Sequence, residues 1–480
     1  MKRKLLSFAF LLLPFFCFAQ KSTPLIEEFG KKIKHMVGSF QLNDHVSVIT
    51  LNLDDQNFEL AAVDDKMKLL WRANYKGYAL GCGKFKGHIL AVASADFTIK
   101  NGVIAPYNGL LIDEQSGKLI LQKQIFESKS ETKEWPRLYF SPDGSDFKLV
   151  VRQTTTGKTI FQFTMAESTE TKDLTVVRLN EKLEPTVSKP TFSGDAFIEM
   201  TANANGDLFV ITARKDKTVK ISKYENGKTE PGAPLTLQID LNDLDDLVNF
   251  KGVIRPSAEN ANVLFYAIIA PNKNKDDQLT VSKLDFNNHT TQSVTEVLDR
   301  KHIKEIEKAY VPFDKKLDKP DISFRRGQHA GLNVKHVEEY NGTLLVAWSY
   351  SGIIPGNMNS YTYQDNALVI NGYSPDLKPK LQQVLPILFN GHPMSSAFHA
   401  ANNSLYVITS TSVPKDFSVF GQLDINSGKW LKLEPLPLDK KHFANKDVCW
   451  FKESLVVPMM RPVGLLPPLK EDFDLQLDKY

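Results

Sequence analysis

Apolar runs of five to seven residues recur along this chain, and most follow a turn built from Gly, Asn, Asp, Ser or Lys. The first kind of turn stands at 86–88 before ILAVAS, 143–146 before FKLVV, 203–207 before LFVIT and 260–262 before VLFYAII. It returns at 341–343 before LLVAW, 402–404 before LYVIT and 452–454 before LVVPM. Runs rich in Val, Ile, Leu, Phe and Thr between such turns predict short strands. A second kind of turn alternates with the first, at 113–118, 180–182, 226–228, 285–288, 374–377 and 424–429, with one more ahead of them all at 64–66. Each repeat therefore holds an inner hairpin followed by an outer one.

The fullest copy of the unit is FRRGQHAGLNVKHVEEYNGTLLVAWSYS, from Phe324 to Ser351, and it returns from His392 and from His442. A histidine thus stands seven residues before His336, His399 and Cys449. A recurrent unit of this size cannot bury its apolar faces alone, so it stacks on copies of itself. The phase of the turns adds the closure. A series that begins with an outer hairpin and ends with an inner one is explained by a ring joined at both termini, with no open sheet edges left. The expected fold is all-β, a seven-bladed β-propeller whose last blade pairs residues 58–71 with 448–459. The run 46–53 has no place in this count.

The outer turns Asp113-x-x-x-Gly117-Lys118 and Asp424-x-x-x-Gly428-Lys429, and the late Trp71 in AAVDDKMKLLW, resemble the repeats of quinoprotein-like propellers. The resemblance touches about three blades and implies the architecture, not a quinone cofactor.

At the N-terminus, Lys2, Arg3 and Lys4 precede an apolar run from Leu5 to Phe18, and Cys17 and Ala19 form a small-x-small cleavage site. Residues 1–20 are expected to be a secretory signal peptide, and the mature protein to be secreted or periplasmic. Residues 21–45 follow as an amphipathic helix and linker: Thr23 caps, Pro24 opens the first turn, and Leu25, Ile26, Phe29, Ile33, Met36 and Val37 form one stripe. The propeller is expected over 46–480, with an insertion at about 297–323 whose RKHIKEIEKAYV reads as a short charged helix. Lys and Arg number 59 against 56 Asp and Glu. This near balance gives no electrostatic case for nucleic acid, and no nucleic-acid motif is present. No later run reaches the length of a spanning helix. Only Cys82 and Cys449 remain after cleavage, and both are expected to be free thiols on inner strands of adjoining blades.

In a propeller the loops entering the inner strand and leaving the second strand share one face around the central channel. That face would gather His329, His392 and His442 with Arg325, Arg326, Arg461 and Tyr350, a set suited to an anionic or carbohydrate ligand. The three imidazoles could instead hold a divalent metal. His336 and His399 are expected to line the channel and satisfy local hydrogen bonds. Ala202 to Leu208 has calcium-loop oxygens but lacks the later glutamate, and there is no nucleophile elbow, P-loop or HExxH. The leading functional expectation is a non-catalytic platform for a protein, carbohydrate or cell-envelope ligand, with no cofactor. The alternative is a metal-dependent polysaccharide lyase or other carbohydrate-active enzyme working at the central channel.

Overall fold

A strand that is apolar on both faces needs a paired strand on each edge and a packed layer on each side. The central strands here have that character: in Leu208–Ala213 every residue is buried, and in Val46–Asn52 all but the first. The computed structural model describes residues 35–66, 68–95, 106–127, 136–154, 171–191, 196–213, 218–239, 252–271, 276–309, 330–355, 361–391, 396–411, 417–436, 442–443, 448–463 and 470–479. They form eight antiparallel sheets in succession, blade 1 (35–76), blade 2 (78–126), blade 3 (137–188), blade 4 (196–238), blade 5 (253–298), blade 6 (330–391), blade 7 (396–436) and blade 8 (442–479). The first seven each pair four strands in chain order. In blade 8 two short pieces, His442–Phe443 and Cys449–Trp450, share the inner edge of Ser454–Val463, and Lys470–Lys479 pairs along its other edge.

Adjacent blades share their cores. Ile89 and Leu110 of blade 2 pack with Phe58 and Leu60 of blade 1, while the opposite face of blade 2, with Leu90 and Val92, packs on Phe147 and Leu149 of blade 3. The same alternation carries the core from blade to blade as far as Leu455 and Val457 of blade 8, which meet Tyr406 and Ile408 of blade 7. The ring then closes on itself, because Met36, Ile49, Ala61 and Val63 of blade 1 pack against Cys449, Phe451 and Val456 of blade 8. Across the same seam Ser454 Oγ donates to the Asp65 carbonyl at 2.9 Å. Each such side chain removed from water contributes about 1.5 to 3 kcal/mol, so the repeated blade interface stabilises the fold more than any single contact does.

The turns explain the sequence signals. The inner hairpins at Lys86-Gly87, Asn341-Gly342 and Asn402-Asn403 place both central residues at positive φ, the backbone that matches the twist of two-residue hairpins. The outer turns dock on the neighbouring blade. Gly117 has φ +67, and a Cβ there would lie 2.5 Å from the Trp71 ring of blade 1. Trp71 Nε1 donates to the Glu114 carbonyl at 2.9 Å and the Tyr75 hydroxyl to the Gly117 carbonyl at 2.5 Å. Blade 6 repeats the device on blade 7, with Leu381 against Gly428 and Gln383 Nε2 donating to the Gly428 carbonyl at 2.5 Å.

The all-β propeller is therefore as the sequence indicated, but the described residues form eight sheets rather than seven. The expected composite blade does not form, since 57–64 pairs with Val46–Asn52 and Leu69–Lys76, and Ser454–Val463 pairs within its own sheet. The run 46–53 supplies the second strand of blade 1, and its burial on both faces requires the strand His35–Asn43 beside it. Of the helix expected over 23–37, residues 23–34 lie outside the described residues and 35–37 are strand. Both termini do close the ring, by packing sheet faces rather than by exchanging strands. Cys82 and Cys449 form no disulfide, but Cys82 belongs to blade 2, so the whole of blade 1 stands between them. Residues 1–20, expected to be a signal peptide, lie outside the described residues. The charged insertion forms α1 (Arg300–Ala309), anchored by the buried Ile306. Among the described residues no helix is long and apolar enough to cross a membrane.

Candidate functional site

The inner strands surround the central channel, and their register places chemically distinct residues at one level. Arg255 pairs with Phe265, Glu338 with Leu345, His399 with Tyr406 and Cys449 with Val456. In every case the partner is the third residue of the second strand, counted from Val263, Thr343, Ser404 and Ser454. A guanidinium, a carboxylate and an imidazole thus stand side by side on blades 5, 6 and 7. Glu338 also accepts or shares a proton with His336 Nε2 at 3.0 Å.

The electrostatics follow from this alignment. Burial pushes the Glu338 carboxyl upward, but the His336 hydrogen bond and the charges of His336, Arg255 and His399 outweigh it and hold the group below its usual range. Burial lowers His399 below the ordinary imidazole value, with Glu338 opposing. Both imidazoles are stacked on the next blade. His336 lies on Phe398 with centroids 4.6 Å apart and planes at 13°, and His399 lies on Trp450 at 5.2 Å and 18°. Tyr406 stacks on His399 as well, at 6.3 Å. The two histidines, Glu338, Phe398 and Trp450 are all half-buried.

The polar wall continues backwards around the ring. An open cleft of about 500 Å³ is lined by Arg137 and Tyr139 of blade 3, Glu199 and Thr201 of blade 4, and Ile254 of blade 5. Arg137 is ion-paired with Glu199. Its Nη1 also donates to the Met200 carbonyl at 3.3 Å, and the Tyr139 hydroxyl donates to the same oxygen at 3.0 Å. Burial raises the Tyr139 phenol far above its usual value, so it stays a donor.

Of the residues singled out in the sequence, His329, His392, Arg325 and Arg326 lie outside the described residues. His442, Arg461 and Tyr350 are placed by backbone alone, opposite Met460, Asp472 and Leu332, and their side chains lie outside the description. One alignment needs correction. His336 is not the counterpart of His399; Glu338 is, because four residues (337–340) separate His336 from the inner turn of blade 6 where two (400–401) separate His399 from that of blade 7. The seven-residue spacing from the upstream histidine concealed this. Counting back from the second strand reveals it for Glu338, His399 and Cys449, each five residues before its start, while Arg255 stands eight before because the turn of blade 5 is longer. Arg255, Glu338, Phe398 and Trp450 were missed for that reason. Among the described residues no three His, Cys, Asp or Glu side chains group closely enough to hold a metal ion.

No protein-family model and no curated protein matches the sequence. Solved structures with a similar fold include the WD40 domain of SCAP from fission yeast, at 9% identity, covering 96% of this chain and 98% of that chain with a TM-score of 0.45. Sqt1 of Saccharomyces cerevisiae is 11% identical, covering 93% of this chain and 97% of that one, also with a TM-score of 0.45. A PL25 ulvan lyase, a polysaccharide lyase bound to its sugar, is 7% identical, covering 93% of each chain with a TM-score of 0.43. These likenesses go with the fold and carry no argument about activity. The chain is a β-propeller.

Proposed function

We propose that this propeller is a non-catalytic binding platform that takes a carbohydrate chain at its central channel, outside the cytoplasm. The observation that carries the reading is the arc of Arg255, Glu338 and His399, flanked by imidazoles stacked on Phe398 and Trp450. Sugars present hydroxyls that donate and accept, and apolar ring faces. A wall that alternates carboxylate, imidazole, guanidinium and half-exposed aromatic side chains meets both. The location rests on the basic and apolar residues 2–19. His329, His392, His442, Arg325, Arg326, Arg461 and Tyr350, expected from the sequence near the channel mouth, would extend the same site. The test is binding of the mature protein to immobilised polysaccharides and to a glycan array. Glu338→Ala should weaken capture of the bound glycan about tenfold or more, the scale of losing charged hydrogen bonds. Unchanged capture would remove the channel from the reading.

A second reading has one observation of its own, the His336 and Glu338 pair at 3.0 Å. A carboxylate beside an imidazole is the arrangement of a general base. In a lyase the base removes the proton next to a uronate carboxyl, that electron pair forms a carbon–carbon double bond, and the C–O bond to the departing sugar breaks onto its oxygen, which takes a proton from water or the protonated base. Incubation with uronate polysaccharides, with and without chelator, separates the two readings. Ultraviolet-absorbing unsaturated products that vanish in His336→Ala would establish the lyase, and their loss on chelation would add a metal at His329, His392 and His442.

A further inference from the structure

Away from the channel, on the outer rim, a pocket of about 350 Å³ lies between blades 5 and 6 under α1. Its polar wall is assembled from separate elements. Glu296 comes from the outer strand of blade 5 (Thr290–Leu298), Asn371 and Tyr373 from the third strand of blade 6, Lys380 from its outer strand, and His302 from the first turn of α1. The position of His302 is fixed. Its backbone N–H donates to Asp299 Oδ1 at 2.8 Å, capping α1, and Ile306 one turn on is buried in the core.

Glu296 is held by a chain of neutral donors. The Tyr373 hydroxyl donates to Oε1 at 2.9 Å, and Asn371 Nδ2 to Oε2 at 3.3 Å. Trp348 Nε1 in turn donates to Asn371 Oδ1 at 3.4 Å. Each carboxylate oxygen keeps capacity for one more donor. Lys380 Nζ donates to Thr343 Oγ1 at 2.8 Å and keeps two further hydrogens. The odd member is His302, whose Nε2 is shut off from solvent and has no hydrogen-bond partner among the described residues. Leaving a buried nitrogen unsatisfied costs about 1 to 3 kcal/mol, a cost that a ligand in the pocket would remove.

We infer that this pocket is a second binding site, for a single neutral sugar ring or a polyol of similar size, anchored by His302 and Glu296. The charges of Glu296 and Lys380 offset one another, so the pocket has no formal charge to match with an ion. A hydroxyl satisfies His302 Nε2 in either tautomer, because it donates and accepts. Adjacent hydroxyls on one ring can give a proton to Glu296 and take one from Lys380. Pro379 and Leu381 supply apolar wall. The volume lies at the small end of ligand sites and fits one ring, not a chain. The site shares no residue with the channel, so it stands or falls independently of the function proposed there.

The experiment is ligand-observed NMR and calorimetry of the mature protein with glucose, galactose and mannose, with glucuronate as the charged comparison and glycerol as the minimal polyol. At least one hexose should bind saturably, and more tightly than glucuronate. His302→Leu and Glu296→Gln should each weaken it about fivefold, the effect of losing one hydrogen bond, with circular dichroism unchanged. Glu296→Gln keeps an acceptor for Tyr373 and preserves the test if the His302 variant misfolds. Three results overturn the proposal: no saturable hexose binding, binding that survives both substitutions, or binding lost in Glu338→Gln but kept in His302→Leu, which would put the sugar in the channel.

Discussion

Blades 2 and 3 and blades 5 to 7 use the same places on their inner strands in opposite ways. Gly83 and Leu138 pair with the third residue of the second strand, as Arg255, Glu338 and His399 do farther round the ring. In the first region the inner strands meet directly. A Cβ on Gly81 would lie 2.9 Å from Leu138, and one on Gly83 would lie 2.5 Å from the Phe140 ring. In the second region charged and aromatic side chains stand between the strands, with Arg255 exposed and Glu338, Phe398, His399 and Trp450 half-buried. The fold tolerates either solution, so the polar arc is not something the ring needs in order to close. Polar groups that packing does not require, gathered where solvent and ligand can reach, are the mark of a binding surface.

The largest effect should come from breaking the packed side. Gly83→Val places two methyl groups where the Phe140 ring already stands, and that ring is itself in contact with Phe147 at a centroid distance of 4.9 Å. Overpacking there should cost about 1 to 3 kcal/mol. Urea denaturation of the full chain measures it. A midpoint equal to that of the parent would mean the inner strands of blades 2 and 3 are not in close contact.

On the polar side the same kind of change should matter less for stability and more for ligand. Glu338→Gln keeps the shape and one acceptor while removing the charge that Arg255, His336 and His399 face. The expected loss is about 1 kcal/mol, smaller than that for Gly83→Val, together with a clear loss of glycan capture. If Glu338→Gln destabilised the ring more than Gly83→Val, the polar arc would be a structural staple and the contrast between the two regions would collapse.

The repeat was legible because its turns are local. Positive φ at Asn341-Gly342 and Asn402-Asn403, and the capped loops at Asp113 and Asp424, are written in neighbouring residues. All seven inner and all seven outer turns named from the sequence join the strands they were assigned to. Blade 1 was lost because its inner strand, His35–Asn43, has a bulge and Gly38 in place of clean alternation, and a helical stripe runs into it at Met36 and Val37. Its turn at Asp44-His45 was passed over with it. The outer half of blade 8 was lost for another reason: Lys470–Lys479, with its charged residues at 470–472, 474, 478 and 479, does not stand out as a strand. The site was legible only in part. That His336 and His399 stand on inner strands could be read from sequence, but Glu338 beside Arg255 and His399 is a matter of register between residues 83 and 61 positions apart in the chain, and two extra residues between His336 and its turn were enough to hide it.

The smallest effect, and the most specific, is in the pH dependence of stability. The neighbours that set it are Glu338, His336 and Arg255, with Tyr406 and Trp450 stacked on the His399 ring. His399 titrates below its ordinary 6.5 in the folded protein because of burial, so the unfolded chain takes up that proton first as pH falls. Its contribution is complete above about 6.5 and declines as pH drops from there through the folded value. Glu338 titrates below its ordinary 4.5, so its contribution is complete above about 4.5 and is lost as pH falls through its own folded value. Both therefore weaken the fold in acid, in successive windows. Thermal melts of the protein across this range should show that His399→Phe, which keeps the stack on Trp450, flattens the upper window and leaves the lower one. Glu338→Gln should flatten the lower window. It should also steepen the upper one slightly, because the carboxylate that opposes the effect of burial on His399 is gone. An upper window unchanged in His399→Phe would show that the imidazole is not desolvated, and the polar arc would then be open surface rather than a formed wall of the channel.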